Sequence, residues 1–306
     1  MTLHPFFAAV VARNAGGPSL SSGPPARARE MVSAGRAALG AGPQMADVEE
    51  ISITTRGGAL SARLLVPDGE VAGVVVYFHG GGWVVGSIDD FDTLGRELAK
   101  RSRCAVLLPE YRLAPEHPFP AALEDAEDAI IWAAESLLRR FGSSAPIVVA
   151  GDSAGGNLAT VAIRRLRRRV DVALQVLVYP VTNANFDTPS YLDSSDGMPL
   201  TRDDMKWFFS LYAPAQFWPE ADIAPIRSAS LSGLPRTVVI TAEHDVLRSD
   251  GELYARALQE AGVDVAYRQY PGTVHGFLRL HNHVDTSSQA LSDIADAISD
   301  AIYIQA

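Results

Sequence analysis

Gly151-Asp152-Ser153-Ala154-Gly155 stands where one periodicity of the sequence gives way to another. Before it, Pro146-Ile147-Val148-Val149-Ala150 is a short, nearly continuous apolar run, the pattern of a strand buried in a parallel sheet. After it, from Gly156 to Leu166, apolar residues recur at helical spacing, with Ala159, Ala162 and Ile163 on one face. Strand, sharp turn and helix around G-x-S-x-G place Ser153 in a strained backbone conformation with its hydroxyl exposed, at a helix N-terminus that favours negative charge. Gly151 and Gly155 let the backbone bend tightly and let the helix approach the sheet. Taken alone, the five letters also fit a glycine-rich turn with an incidental serine. The elements on either side point to a nucleophile.

The same alternation runs through most of the chain. Val48 to Thr54 and Ala59 to Val66 flank Arg56-Gly57-Gly58, a hairpin signal. Val71 to Phe78 is a longer apolar strand. Strands at Cys104 to Pro109, Ile147 to Ala150, Ala173 to Tyr179, Thr237 to Ala242 and Val265 to Tyr270 then alternate with helical segments. Those helices cover Asp89 to Arg101, Ala121 to Phe141, Ser153 to Arg168, Ser249 to Ala261 and Ser287 to Ala301. The order predicts an α/β fold: a mostly parallel sheet of about eight strands, helices on both faces, and an antiparallel hairpin at one edge.

Two regions depart from it. Residues 1–45 read as a helical arm, with helices starting at Phe6 and spanning Ala26 to Leu39, separated by a breaker-rich loop from Gly16 to Pro25. Residues 183–223 interrupt the strand–helix order. There Thr201-Arg202-Asp203-Asp204 reads as a helix cap ahead of Met205, Trp207, Phe208, Phe209, Leu211 and Tyr212. An aromatic helix above the strand ends predicts a lid over an apolar substrate. The expected division is an arm at 1–45 and a catalytic domain at 46–306 with a cap insertion at about 183–223.

Composition narrows the partners. The 306 residues are 47% hydrophobic and 20% charged, enough for a sizeable core. A formal net charge of −10 disfavours nucleic acid and anionic membranes. The basic cluster from Arg164 to Arg169 closes a helix and reads as a solvated face. One cysteine, Cys104, excludes an intrachain disulfide and reads as a packed, inert thiol. No apolar run reaches membrane-spanning length, and no basic residue precedes the apolar patch at Phe6 to Val11. The expectation is a cytoplasmic protein acting on a small molecule, without stable membrane insertion.

A serine nucleophile needs a base, an acid to orient the base, and donors for the oxyanion. His79-Gly80-Gly81-Gly82 follows the third strand, so the amides of Gly81 and Gly82, with that of Ala154, could converge on a developing alkoxide. No Lys-Ser/Thr follows these glycines, which argues against a phosphate-binding loop. His79 reads as a structural brace. For the acid, Asp245 follows the Thr237 strand, with Glu243 and Asp250 as alternatives. For the base, His275 follows the Val265 strand through Pro271-Gly272-Thr273, with Gly276 giving it room. His4 lies in the arm and His117 in a proline-rich loop; His244 adjoins Asp245 too closely to face it. His281 and His283 lack a third ligand for a metal pair. No metal or cofactor is expected.

These segments together resemble the hormone-sensitive-lipase-like family of bacterial carboxylesterases, on the α/β-hydrolase fold. The matching pieces are His79-Gly80-Gly81-Gly82-Trp83, Tyr111-Arg112-Leu113-Ala114-Pro115-Glu116, Phe119-Pro120-Ala121-Ala122, Gly151-Asp152-Ser153-Ala154-Gly155-Gly156-Asn157 and His275-Gly276-Phe277. The resemblance covers Val48 to the C-terminus. It departs at Val246, where the family usually carries a proline after the acid. It implies a helical cap built from the arm and the insertion, no cofactor, and hydrolysis of short- to medium-chain acyl esters. The expected catalytic residues are Ser153, Asp245 and His275, with His79, Gly80, Asp152 and Gly155 supporting. Dimers are common in the family, although no stretch of this sequence marks an interface. Rival readings are a non-catalytic small-molecule receptor on the same fold and an amidase. Nothing in the sequence marks the broad apolar surface of an interfacial lipase.

Overall fold

A computed structural model describes residues 2–141, 145–193 and 197–305. Met1, residues 142–144, Ala306 and residues 194–196 of the expected insertion lie outside the described residues.

The arm comprises α1 (Pro5–Asn14), α2 (Pro25–Ala34) and a single turn, α3 (Arg36–Leu39). The helix expected from Ala26 to Leu39 is therefore broken in two at Gly35, the C-cap of the first half. The hairpin follows as β1 (Asp47–Thr55) and β2 (Gly58–Val66). Then come β3 (Val74–Phe78), α4 (Ile88–Ser102), β4 (Ala105–Pro109) and α5 (Ala121–Trp132). α5 passes through a π-helical turn, Ala133–Leu137, into α6 (Leu138–Phe141), so the long helix expected there is not uniform. Next are β5 (Ile147–Asp152), α7 (Ala154–Leu166), β6 (Leu174–Val178), α8 (Pro189–Leu192) and α9 (Arg202–Tyr212). The chain ends with β7 (Thr237–His244), α10 (Arg248–Glu260), β8 (Val265–Val274) and α11 (Asp285–Gln305).

All eight strands join one sheet in the order β1-β2-β4-β3-β5-β6-β7-β8. β1 pairs antiparallel with β2, and β2 with β4; every other pairing is parallel. The two-residue period of the strands divides the core. Val74, Val76 and Phe78 pack with α5, α7 and α10 on one face, while Val75 and Tyr77 pack with α4 and α11 on the other. Both faces are covered, which is why these strands read as unbroken apolar runs rather than alternating ones.

β3 is shorter than its apolar run suggested, beginning at Val74. β8 is longer. Pro271-Gly272-Thr273, expected as a loop before His275, is strand, paired to β7 through a bulge between Ala242 and His244. The chain reverses its direction of spread at β3, which lies between β4 and β5. In such sheets the crevice outside the strand ends at the reversal is where ligands bind. Among the described residues no helix is long and apolar enough to cross a membrane.

Candidate active site

Ser153 sits at the end of β5 as the N-cap of α7, with φ 54° and ψ −119°. Only an unusually constrained turn holds a side-chain-bearing residue there. The constraint is steric. A Cβ at Gly155 would collide with the Phe78 carbonyl oxygen, and one at Gly151 with the Gly155 carbonyl. The two glycines thus press the start of α7 against the ends of β3 and β5, and the serine alone can project from the bend.

His275 immediately follows β8. Its Nε2 lies 3.1 Å from Ser153 Oγ, and its Nδ1 lies 2.8 Å from Asp245 Oδ2. Asp245 is buried in the turn after β7, and its other oxygen accepts from the Leu247 amide at 2.9 Å. A carboxylate held at both oxygens fixes the proton on Nδ1, leaving the Nε2 lone pair facing the serine hydroxyl. The structure therefore brings Ser153, His275 and Asp245 together. The alternative acids have other occupations: Glu243 Oε2 accepts from the Gly272 amide at 2.7 Å, and Asp250 Oδ2 accepts from Thr182 and Asn183. His4 caps α1 and His283 stacks on Phe6.

Gly81 and Gly82 follow β3 with φ of 126° and 58°. Among the described residues nothing accepts from the amides of Gly81, Gly82 or Ala154. Ala154 opens α7, where the first amides have no partner within the helix. Three unpaired donors thus border the serine. His79 is buried between the rings of Phe91 and Tyr111, with centroids 5.2 and 4.4 Å away. Burial pulls its imidazole down to about 4, so it is neutral at physiological pH. Its Nδ1 lies 2.7 Å from the Gly80 carbonyl, and the Tyr111 hydroxyl donates to the His79 carbonyl. It braces the glycine loop and takes no part in the hydrogen bonds that join Ser153, His275 and Asp245.

Two residues matter more than the sequence suggested. Asp152 was legible only as a motif letter. Its carboxyl accepts from the Gly80 amide at 2.8 Å and the Tyr77 hydroxyl at 2.9 Å, and so fastens the glycine loop to the serine turn. Burial pushes that carboxyl up to about 6. Tyr179, just beyond β6, places its ring 4.7 Å from the His275 ring and forms the wall behind the imidazole. Only its place after a buried strand could have drawn attention to it.

A cavity of about 600 Å³ opens over Ser153 and His275. Its far wall is apolar: Phe7, Val10, Leu20 and Val32 from the arm, with Met205 and Phe208 from α9. Tyr212 of α9 stacks on Trp83 at 4.1 Å, carrying that helix on the glycine loop. The expected cap at Thr201 is a reciprocal capping box with Asp204, whose second oxygen accepts from the Ser21 amide and so ties α9 to the arm. Elsewhere, Arg165 of the basic cluster pairs with Glu127 at 2.7 Å, and Cys104 is buried, its thiol pushed up to about 11.

The model of a family described by its α/β hydrolase fold matches residues 75–279. The chain is 38% identical over 237 residues to carboxylesterase NlhH of Mycobacterium tuberculosis, covering 75% of this chain and 74% of that protein. It is 36% identical to an ethyl acetate hydrolase of Pseudomonas putida, covering 82% of each. In structure it is similar to a hyperthermophilic esterase from the archaeon Pyrobaculum calidifontis, with a TM-score of 0.93 and 39% identity over 99% of this chain and 100% of that one.

Proposed function

This chain belongs to the α/β-hydrolase fold family, in its hormone-sensitive-lipase-like group of bacterial carboxylesterases, and we propose that it cleaves short- to medium-chain acyl esters through Ser153, His275 and Asp245. That it is a carboxylic ester hydrolase follows from named relatives 36–38% identical over most of the chain. The proposal concerns the residues, the steps and the acyl group.

In the first step Ser153 Oγ attacks the ester carbonyl while His275 Nε2 takes its proton. Asp245 holds the imidazole and stabilises its charged form. The amides of Gly81, Gly82 and Ala154 receive the oxyanion, each donor contributing about 3 kcal/mol to the barrier reduction. The tetrahedral intermediate collapses as His275 protonates the leaving alcohol. Water, activated by the same imidazole, then attacks the acyl-serine and returns the carboxylic acid. His79, Gly80, Asp152 and Gly155 hold the loops in register. The arm at 1–45 and the insertion at 183–223 act as the cap, and its apolar wall takes the acyl chain.

The observation that carries this reading is the continuous hydrogen-bond chain from Ser153 through His275 to Asp245. A fluorophosphonate probe tests it. Labelling at Ser153, abolished in Ser153→Ala, is the expected result; an unlabelled Ser153 in folded protein would mark a receptor. A series of dissolved 4-nitrophenyl esters from acetate to palmitate reads the acyl limit, with kcat/KM expected to fall beyond medium chain length.

A further inference from the structure

The cavity over Ser153 carries a cation that none of these steps uses. Arg279 lies on its wall, four residues beyond His275. Its Nη2 donates to the Asp90 carbonyl at 2.9 Å, and its guanidinium carbon sits 4.6 Å from the centroid of the Phe91 ring. Its Nε is buried with no partner, and Nη1 has no acceptor among the described residues. Every other partly buried arginine among the described residues has a carboxylate oxygen within 4.0 Å. Arg279 has none. The acids near it are already engaged: Asp90 by Arg36 and Ser87, Asp152 by Tyr77 and Gly80. Arg13, at the end of α1, lines the same cavity and likewise has no carboxylate partner among the described residues.

A guanidinium offers five donors, and leaving a half-buried one without an anion is costly. Beside an apolar wall its attraction for an anion is screened less than at the surface. Its planar fork matches a carboxylate. We propose that Arg279 is a specificity-determining residue that receives a carboxylate carried by the substrate, so that the preferred substrates are esters bearing a second, free carboxylate. This rests on the ester-hydrolase reading above and adds the charge of the substrate to it. The net charge of −10 repels anions at long range, so the preference arises in the cavity and not in the rate of encounter.

The test is a ratio. For the acyl side, kcat/KM is measured for 4-nitrophenyl hydrogen adipate and for the uncharged isostere 4-nitrophenyl 6-methylheptanoate. For the alcohol side, the pair is 4-acetoxybenzoate and 4-isopropylphenyl acetate. Each pair is run on wild type, Arg279→Met and Arg279→Lys. In one pair the anionic-to-neutral ratio should fall about tenfold or more in Arg279→Met, the size of one charge-assisted hydrogen bond, with Arg279→Lys between. The pair that responds says which side of the ester carries the carboxylate. Should Arg279→Met fail to fold, Arg279→Lys must still lower one ratio, because it keeps the charge and loses the fork. Ratios that stay within about twofold of wild type in both pairs overturn the assignment while neutral-ester turnover leaves the hydrolase reading standing. No turnover of any ester, with no labelling of Ser153, overturns both.

Discussion

On the sheet side of the cavity the loops after β3 and β5 meet so closely that their glycines leave no room for a side chain. A Cβ added at Gly155 collides with the Phe78 carbonyl and one at Gly81 with the Val85 carbonyl, backbone atoms that cannot swing aside. On the arm side the wall is made of Phe7, Val10 and Val32, held over the site by polar ties to main-chain atoms. Arg29 donates to the carbonyls of Val84 and Ala114, and the His4 amide donates to Gly272. One wall is fixed by backbone sterics at the end of a buried sheet, the other by side chains that substitution can resize. Changes on the first should act on kcat, and changes on the second on KM and acyl preference.

The largest effect expected on the sheet side is that of Ser153→Ala, which should lower kcat/KM on the order of 10⁴-fold or more by analogy with other triads. Its thermal midpoint should stay near that of wild type, because Ala keeps the Cβ at φ 54°. Ser153→Gly should be equally inactive yet melt higher, since glycine relieves the strain; equal midpoints would remove strain from the account of this turn. Next comes Gly81→Ala, where φ is 126°. The loop must move, its amide leaves the oxyanion position, and kcat should fall about 10²- to 10³-fold. Val32→Ala on the arm is the control, with KM shifted by less than about tenfold and kcat nearly unmoved. If the arm variant cost as much kcat as the glycine variant, the division between the two walls would fail.

The sheet side was also the more legible in the sequence, and for the same reason. A turn that admits no Cβ must write glycine, so Gly151-Asp152-Ser153-Ala154-Gly155 and His79-Gly80-Gly81-Gly82 can be read directly. Strands buried on both faces read as apolar runs, which located the elements to within a few residues. Asp152 and Tyr179 were not legible in their roles, because a buried acceptor between two loops and a ring behind an imidazole are tertiary facts. Arg279 was invisible for the opposite reason: what distinguishes it is a carboxylate that is missing. The extension of β8 through Pro271 is set by its pairing with β7 rather than by local pattern, whereas the break between α2 and α3 falls on Gly35, a helix breaker present in the sequence itself.

Two acids carry the comparison into electrostatics. Asp250, behind the sheet side, is buried, and desolvation pushes its carboxyl up to about 8 although the Thr182 and Asn183 amides donate to it. The folded state therefore holds a proton that the unfolded chain releases near pH 4. That contribution to stability is fully present below about pH 4 and is lost as pH rises to about 8. Asp250→Asn keeps an acceptor for the same amides and has no such proton. Measured by thermal melts, the wild type should lose several degrees relative to Asp250→Asn between pH 5 and 8. Parallel curves would mean the carboxyl is charged in the fold.

Glu116, on the arm side, is the smallest case and the most informative about what holds the arm down. The Arg29 guanidinium beside it holds its carboxyl down at about 2, so its contribution is present above about pH 4.5 and is lost as pH falls through about 2. The Glu116 side chain is 54% exposed, however, and solvent screening leaves such a pair at most about 1 kcal/mol. Arg29 does more than pair with it, because its other donors reach Val84 and Ala114, and Val84 lies next to the residue that closes on Gly81. Glu116→Gln should therefore move the midpoint by no more than about 2 °C and leave kinetics unchanged. Arg29→Ala leaves two carbonyls unpaired and should raise KM a few-fold with kcat held within about twofold, an effect that added salt does not reproduce. If Glu116→Gln or salt matched Arg29→Ala, the arm would be held by charge, and its grip on the glycine loop through main-chain hydrogen bonds would have to be abandoned.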